Sequence, residues 1–386
     1  MLRITAVGAL SLSLALLACH PSPDEPTDPL VPEVEQIDDP GPGAAEDIVE
    51  PVSLGVVTYD GSGELVHPDA LVFPHDWRGR RYWYAATPYP FGDAAFENPS
   101  GYSGNDAGEW RPLPGIANPL ARPDIDAYLS DPDLSFDPVR DELRLYYRQT
   151  TNDADEIYLK SSHDGAAWGP ATLVVKEAKW GAISPAVVRE RDGSWRMWAV
   201  NAANGGCRAR MSAVALTRRR SRDGIKWGGP EPVSLTIPNR VPWHWDVQYI
   251  GAKHEYWALI AAFPDGSNCS RSSVFFARST DGSSWTVSPT PLLGPGVIEP
   301  LRDLVYRSTF RYFARSDQVT VWFSGAREVA GKLHYALATA RYPLAELMRR
   351  VSAPSSGAAN LATSAIGNGH RVRLDSARTA FIEVFP

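Results

Sequence analysis

A seven-residue sequence that recurs along the chain decides the fold. It reads Ser162-His163-Asp164-Gly165-Ala166-Ala167-Trp168, and it returns as Ser221-Arg222-Asp223-Gly224-Ile225-Lys226-Trp227 and Ser279-Thr280-Asp281-Gly282-Ser283-Ser284-Trp285, with a looser copy at residues 103–110. The four tryptophans are Trp110, Trp168, Trp227 and Trp285, at steps of 58, 59 and 58 residues. Asp-Gly favours a tight turn, and a fixed period of this length is typical of a repeat architecture.

Each repeat also contains two strand-like runs of aromatic and β-branched residues ahead of its turn. The first runs lie at residues 67–73, 131–136, 184–188, 245–249 and 307–310. The second runs lie at residues 82–84, 145–147, 197–199, 256–258 and 321–323. Five such pairs predict an all-β, five-bladed β-propeller of four-stranded antiparallel blades. We expect a terminal strand, from residues 52–59 or 377–384, to close the fifth blade, and residues 344–375 to be helical and then irregular.

The first eighteen residues are typical of a secretion signal. Arg3 is followed by an apolar run that is too short to span a bilayer. The run ends in Leu16-Leu17-Ala18-Cys19, which resembles the lipobox of bacterial lipoproteins and implies cleavage before Cys19 and its acylation. An ordinary signal with a chance cysteine is the alternative. We therefore predict a lipid-anchored protein of the bacterial cell envelope, at the outer membrane or the cell surface.

Residues 19–50 form an acidic, proline-rich segment that we predict to be a disordered tether. The ten acidic residues between 20 and 50 account for the net charge of −7 of the whole chain. Residues 51–386, the predicted propeller domain, are nearly neutral and lack the basic surface of a nucleic-acid binder. Cys207 and Cys269 lie in corresponding loops of neighbouring blades, and an oxidising compartment favours one disulfide over two free thiols.

The candidate site lies on one rim of the propeller. The first strand of each blade lines the axis, and the loop between the second and third strands opens on the rim where the axial strands begin. This geometry is expected to bring together Asp69, Asp133 and Asp246, with Ser184 and Ser308 at the same level in the other two blades. Further side chains predicted at or near this rim are His67, His244, Glu97, Arg148, Asn201, Glu299, Arg307, Tyr89, Trp180 and Trp243.

The repeated turn resembles the Asp-boxes of sialidases and other propellers, in which the motif is structural. The whole blade pattern resembles the five-bladed propeller glycoside hydrolases: the arabinanase and xylosidase group (family 43), the invertase and levansucrase groups, and the mannoside phosphorylases. The motifs that match are His67-Pro68-Asp69 and Asp131-Pro132-Asp133. A sialidase is disfavoured, because that resemblance implies six blades and three clustered arginines.

The resemblance to the glycoside hydrolases implies catalytic roles. Asp69 would be the base or nucleophile, Asp133 would tune it, and Asp246, Glu97 or Glu299 would donate the proton. The carry-over is incomplete, because blade three has Ser184-Pro185 where those families place a catalytic carboxyl.

Converging carboxyls also suit this chemistry on physical grounds. Glycosidic cleavage needs one protonated and one ionised carboxyl about 5–9.5 Å apart. Repulsion between carboxyls in a partly dry channel would raise one pKa and supply the acid. We therefore predict a surface-tethered glycoside hydrolase; a non-catalytic glycan-binding lipoprotein that uses the same rim is the alternative.

The remaining rim residues are predicted to bind the substrate. They are His67, His244, Trp243, Arg148, Asn201, Arg307, Glu299 and Tyr89. No cluster has the sequence spacing of zinc ligands, so no metal or cofactor is expected. Two alternatives are left open: an axial calcium, as in some arabinanase-type propellers, and a metal held by His67 and His244 near the channel. We expect a monomer whose partners are carbohydrate and, through Cys19, a membrane, and no nucleic acid.

Overall fold

The computed structural model describes residues 49–104 and 110–352, and these form five four-stranded antiparallel sheets arranged in a ring. The predicted five-bladed β-propeller is confirmed. The predicted signal peptide, Cys19, the tether as far as residue 48 and the candidate strand at 377–384 lie outside the described residues. Within the described ranges, no helix has both the length and the apolar character needed to cross a bilayer.

The blades follow one another along the chain, except that β1 (Val49–Leu54) belongs to the last one. Blade one contains β2 (Leu65–Trp77), β3 (Arg80–Pro88), β4 (Ser100–Gly104) and β5 (Trp110–Pro112). Blade two contains β6 (Tyr128–Asp137), β7 (Glu142–Thr150), β8 (Ala154–Ser162) and β9 (Thr172–Ala178). Blade three contains β10 (Ile183–Arg189), β11 (Trp195–Asn201), β12 (Ala215–Ser221) and β13 (Glu231–Val233). Blade four contains β14 (Arg240–Ile250), β15 (Glu255–Pro264), β16 (Ser273–Ser279) and β17 (Thr286–Val287).

Blade five is closed by the N-terminal strand. Its first three strands are β18 (Leu304–Phe313), β19 (Gln318–Val329) and β20 (Lys332–Pro343), and β1 pairs with β20 in antiparallel register. This contact ties the segment that leads into blade one to blade five, and so closes the ring. The chain then continues as α1 (Leu344–Ser352), whose buried face packs on blades four and five.

The repeated Asp-Gly turns join neighbouring blades. In blade two, the Ser162 hydroxyl accepts the Gly165 N–H at 2.8 Å, and the Asp164 carboxylate accepts two further backbone N–H groups. Gly165 has φ +76°, and a Cβ there would overlap the ring of Trp83 in blade one. The glycine is therefore required both for the left-handed turn and for the close approach between blades.

A bulge near the start of each axial strand creates two layers of inward-facing side chains. Register shifts interrupt β2, β6, β10, β14 and β18, and His67, Asp131 and Ser184 take left-handed φ values of 51–52°. The outer layer, nearer the rim, contains His67, Asp131, Ser184, His244 and Arg307. The inner layer contains Asp69, Asp133, Asp246 and Thr309. Ser184 was predicted at the level of the three aspartates but lies in the outer layer. Ser308 was predicted at the same level, but Thr309 occupies the inner layer in its place. Both differences arise because the extra residue of each bulge changes which side chains of the strand face the axis.

Cys207 and Cys269 form a disulfide between the second-to-third-strand loops of blades three and four. The two short 3₁₀ segments that carry them are Ala203–Arg208 and Cys269–Arg271. This is the pair expected from the sequence.

Candidate active site

Three potential metal ligands meet in the outer layer. His67, Asp131 and His244 are buried, and each offers a ligand atom within 4.8 Å of the others. His67 Nε2 lies 3.5 Å from Asp131 Oδ1, and His244 Nδ1 lies 3.2 Å from the same oxygen. Tetrahedral metal ligands with bonds of about 2.1 Å lie about 3.4 Å apart, so the separation of His67 Nε2 and Asp131 Oδ1 suits a shared cation, to which His244 would contribute its Nε2.

The two imidazoles are oriented by side chains behind them. His67 Nδ1 lies 2.9 Å from Glu97 Oε1, and His244 Nδ1 lies 2.6 Å from Ser184 Oγ. The Nε2 atoms of both histidines are buried and have no hydrogen-bond partner among the described residues. A buried polar atom without a partner is unfavourable unless something else binds it. A carboxylate behind a histidine is also the usual support of a histidine metal ligand.

Two arginines surround the central carboxylate of Asp131. Arg148 Nε lies 3.1 Å from Asp131 Oδ2, and Arg307 Nη1 lies 3.5 Å from Asp131 Oδ1. Burial alone would raise the pKa of Asp131, but Arg148 and the two histidines outweigh it and hold that pKa well below its usual range. Asp131 is therefore an ionised acceptor at neutral pH.

The pKa values of three side chains near Asp131, those of His67, His244 and Glu97, are shifted in the direction that favours the uncharged form. Burial lowers the pKa values of His67 and His244, although Asp131 opposes the effect on each imidazole. Burial raises the pKa of Glu97, against the influence of His67. The histidines therefore have the neutral form that metal binding requires.

Aromatic side chains cover the outer layer on one side. The Tyr306 ring lies 4.6 Å from His244 and 5.4 Å from His67, measured between ring centroids. Trp243 Nε1 donates a hydrogen bond of 3.1 Å to the Tyr306 hydroxyl. Burial raises the pKa of Tyr306 well above its ordinary value, so the phenol keeps a proton that it can donate.

The inner layer is a cluster of three buried carboxyls. Asp69, Asp133 and Asp246 offer oxygens within 4.8 Å of one another. Their contacts tie the blades together: Asp69 accepts the Leu134 N–H of blade two, and Asp133 accepts the Val187 N–H of blade three.

Burial and repulsion between neighbouring carboxylates raise the pKa values of two inner-layer aspartates, Asp133 and Asp246. Burial and the neighbouring aspartates raise the pKa of Asp133 well above its usual value. Burial, followed by repulsion from Asp69, raises the pKa of Asp246 to about 6. The Thr309 hydroxyl lies 3.2 Å from Asp69 and 2.9 Å from Asp246, but it has only one proton to donate.

Most of the predicted site residues are brought together. His67, His244, Arg148, Arg307 and Glu97 all lie around Asp131, and the three predicted catalytic aspartates lie directly below. Trp243 contacts Tyr306, and Tyr89 contacts Tyr335, which in turn contacts Tyr306. The ring centroids of Trp180 and Trp243 lie 6.1 Å apart.

Two predicted residues do not join these contacts in the described part of the chain. The Asn201 side chain accepts the backbone N–H of Ala203, and Glu299 is exposed beside Arg302. Sequence reasoning missed Asp131 and Tyr306 as site residues. Asp131 could have been found, because it precedes a proline in the same way as His67. No sequence signal identified Tyr306.

Comparisons with known proteins agree with a carbohydrate-related propeller. No protein-family model matches the chain. The "A type blood N-acetyl-alpha-D-galactosamine deacetylase" of Flavonifractor plautii is 27% identical over 314 residues, which cover 69% of this chain and 40% of the relative. The chain thus spans about two fifths of the length of the curated relative that it matches.

Solved structures share the fold. The crystal structure of an N-acetylgalactosamine deacetylase from F. plautii, in complex with blood group B trisaccharide, is similar with a TM-score of 0.71 and 23% identity, covering 78% of this chain and 97% of that one. The xylan beta-1,4-xylosidase of Bacillus halodurans C-125 gives a TM-score of 0.56 at 15% identity, and the match covers 76% of this chain and 54% of that one. A thermostable family-43 glycoside hydrolase gives a TM-score of 0.51 at 14% sequence identity, and the match covers 71% of this chain and 88% of that one. The resemblance to five-bladed glycoside hydrolases is thus confirmed at the level of the fold.

Proposed function

We propose that this chain removes N-acetyl groups from an amino-sugar glycan, using a divalent cation held by His67, Asp131 and His244. The observation that carries the proposal is the outer layer, where two neutral imidazoles and one ionised carboxylate converge in a buried channel. Similarity to the F. plautii deacetylase supports the same reaction class. The proposal departs from the sequence-based expectation of a site without metal.

The donor set fits a transition-metal ion. Two imidazoles and a carboxylate are ligands that zinc, iron or manganese accept. The Nε2 atoms of His67 and His244 make no hydrogen bond within the described part of the chain, and this is the specific feature that a bound cation would explain. A divalent cation at this position would polarise an acetyl carbonyl oxygen and make an attacking water more acidic.

The chain's own residues prepare the reaction in three ways. Glu97 and Ser184 fix the orientation of the two histidine rings, and Arg148 keeps Asp131 ionised. Tyr306 accepts the Trp243 N–H and therefore directs its own proton elsewhere. We place that hydroxyl as the donor to the oxygen of the acetyl group, on which negative charge develops when water attacks.

A glycoside hydrolase is the second candidate, and the inner layer favours it. Asp69, Asp133 and Asp246 include carboxyls with raised pKa, as a general acid requires. Against this role, the inner layer lies beneath the outer one, and its carboxyls bind backbone N–H groups of neighbouring blades. In the outer layer, the His67 ring lies between Glu97 and Asp131 and contacts both, so a glycosidic oxygen has no place between those carboxyls.

One experiment separates the two reactions. The purified intact chain is incubated with N-acetylated oligosaccharides, and free acetate, free amine and reducing ends are measured together. We expect acetate and amine in equal amounts, loss of both with EDTA, and recovery with added Zn²⁺ or Mn²⁺. Release of reducing ends that is resistant to EDTA and abolished by Asp69→Asn would overturn the deacetylase and favour the hydrolase.

The metal site has its own test. We expect wild type to bind about one equivalent of Zn²⁺ or Mn²⁺ by calorimetry and elemental analysis, and His67→Gln and His244→Gln to weaken binding at least about 100-fold. Glu299→Gln, which changes an exposed carboxylate, is the matched control and should bind as wild type does. Equal metal binding by all four proteins would contradict the assignment.

We also propose that Cys19 anchors the protein in the bacterial envelope. The lipobox-like sequence before it supports this location. Metabolic labelling with a radioactive fatty acid should mark the wild-type chain and leave Cys19→Ala unlabelled. Labelling of both proteins, or of neither, would contradict the anchor.

A further inference from the structure

We infer that Phe91 forms a second sugar-binding position beside the reacting sugar, so that the substrate is an oligosaccharide or polysaccharide chain rather than a free monosaccharide. This inference rests on the proposed function, whose substrate class it narrows. Phe91 lies in the rim loop of residues 89–99, between β3 and β4. The same loop supplies Glu97, which contacts His67 in the outer layer.

Phe91 is held exposed in an unfavourable backbone conformation. Its side chain is 54% exposed, and its φ is +56°, in the left-handed region that bulky residues avoid. Residues held in such conformations are concentrated at active sites and ligand-binding sites. Phe91 thus combines an exposed aromatic ring with a strained backbone, and this combination points to a ligand for the ring.

A carboxylate clamp maintains this conformation. Glu64 Oε2 accepts the Phe91 N–H at 3.1 Å and the Tyr335 N–H at 2.9 Å, and Glu64 Oε1 lies 3.1 Å from His334 Nδ1. The Glu64 side chain is only 12% exposed. The clamp joins the rim loop of blade one to the β19–β20 hairpin of blade five, so the position of Phe91 is fixed by two blades.

The groups around the ring suit a pyranose. The His334 ring meets Phe91 edge-on at 5.0 Å, and Lys332 Nζ lies 5.2 Å from the Phe91 centroid. The C–H face of a sugar packs on an aromatic ring, while its hydroxyls need nearby hydrogen-bond partners. The Lys332 ammonium lies over one face of the ring, and it and His334 would provide such partners for a sugar that packs on the other face.

Aromatic contacts connect this position with the outer layer. Tyr89 begins the turn that carries Phe91, and its ring lies 4.9 Å from Tyr335. Tyr335 lies 6.4 Å from Tyr306, which lies 5.4 Å from His67. These contacts place Phe91 on the same side of the site as Tyr306, and a glycan with its acetylated sugar beside Tyr306 would extend along the rim, over these rings, towards Phe91.

The test compares a short and a long ligand on matched variants. The affinities of the intact chain for N-acetylgalactosamine, and for a trisaccharide that ends in this sugar, are measured by calorimetry, with acetate release followed in parallel. Phe91→Gly removes the ring and suits the positive φ, so the loop keeps its path. Phe91→Trp keeps a ring, and Phe96→Ala changes another exposed aromatic of the same loop.

We expect wild type to bind the trisaccharide more tightly than the monosaccharide. Phe91→Gly should weaken trisaccharide binding about tenfold and change monosaccharide binding by less than about twofold. Phe91→Trp and Phe96→Ala should resemble wild type. An unchanged ratio of the two affinities in Phe91→Gly, or the same loss in Phe96→Ala, would overturn the second position. Absence of acetate release with this pattern intact would overturn only the deacetylase proposal.

Discussion

Asp131 and Asp133 are two residues apart on one strand and both are buried, yet the structure predicts a large loss of stability when Asp131 is replaced by asparagine and a small change when Asp133 is. Asp131 is ionised because Arg148 and two histidines surround it. The pKa of Asp133 is raised by burial and by two neighbouring carboxyls, so it tends to carry a proton. Asparagine resembles a protonated aspartate in shape and charge. Asp131→Asn therefore removes a charge that the fold uses, whereas Asp133→Asn preserves the state that the fold prefers.

The expected magnitudes follow from the contacts. Removing one partner of a buried ion pair costs about 3–5 kcal/mol. In Asp131→Asn, Arg148 keeps a second carboxylate, Asp155, 3.6 Å from its Nη1, so we expect the lower end, about 3 kcal/mol. Asp133→Asn keeps an oxygen to accept the Val187 N–H, and we expect a change in the free energy of unfolding within about 1 kcal/mol.

Urea denaturation of both variants and wild type at pH 7, with EDTA present, provides the measurement. The pH dependence of the free energy of unfolding provides a second, independent test. Because the folded-state pKa of Asp133 is raised, its contribution to stability is complete at low pH and is lost as the pH rises through the folded-state value. Asp133→Asn should therefore become more stable relative to wild type as the pH is raised from about 4 to 8. Equal destabilisation by the two substitutions, or a pH-independent difference between wild type and Asp133→Asn, would refute the electrostatic assignment.

Three further substitutions test other parts of the molecule. Glu97→Gln should lower metal affinity about 10- to 100-fold, measured by calorimetry, because it weakens the support behind His67; unchanged affinity would contradict that role. Tyr306→Phe should lower kcat for acetate release about 100-fold while metal affinity stays at the wild-type value, because only a donor to the acetyl oxygen is lost; a matching loss of metal would point to a structural role. Gly165→Ala should lower the free energy of unfolding by at least about 2 kcal/mol in urea, because its φ is positive and its Cβ would overlap the neighbouring blade; wild-type stability would contradict the docking of the turn.

The fold could be predicted from the sequence because the same physical requirement recurs in successive blades. The Asp-Gly turn needs its glycine both for φ and for the contact with an aromatic residue of the preceding blade, as at Gly224 against Tyr146 and Gly282 against Trp198. The number of blades follows from the five pairs of aromatic, strand-like runs in the sequence. The closing strand was not decided by sequence, because two terminal segments both had strand composition; the structure assigns β1, whose partner β20 would otherwise be an open edge.

The site was predicted only in part, because a one-residue bulge decides which side chain faces which layer. The prolines at 68, 132 and 185 follow equivalent residues, and aligning them places Asp131 and Ser184 level with His67. Blades four and five have no proline at this point, so the sequence offers no matching guide there. Contacts such as Glu97 with His67, or Tyr306 with both imidazoles, join residues far apart in the chain and become visible only when the ring closes.

The two layers of axial side chains differ in the chemistry that they suit. The inner layer keeps three carboxyls, but it uses them to hold neighbouring blades together, and burial with repulsion between carboxylates raises the pKa values of Asp133 and Asp246. The outer layer faces the rim, and there histidines stand on two blades with one ionised aspartate between them. A pair of carboxyls at that level would suit cleavage of a glycosidic bond. Two neutral imidazoles and a single anion instead suit a cation, and a cation suits the hydrolysis of an amide. On the proposed function, the identity of a few residues at the bulges, rather than the fold, would therefore select the chemistry.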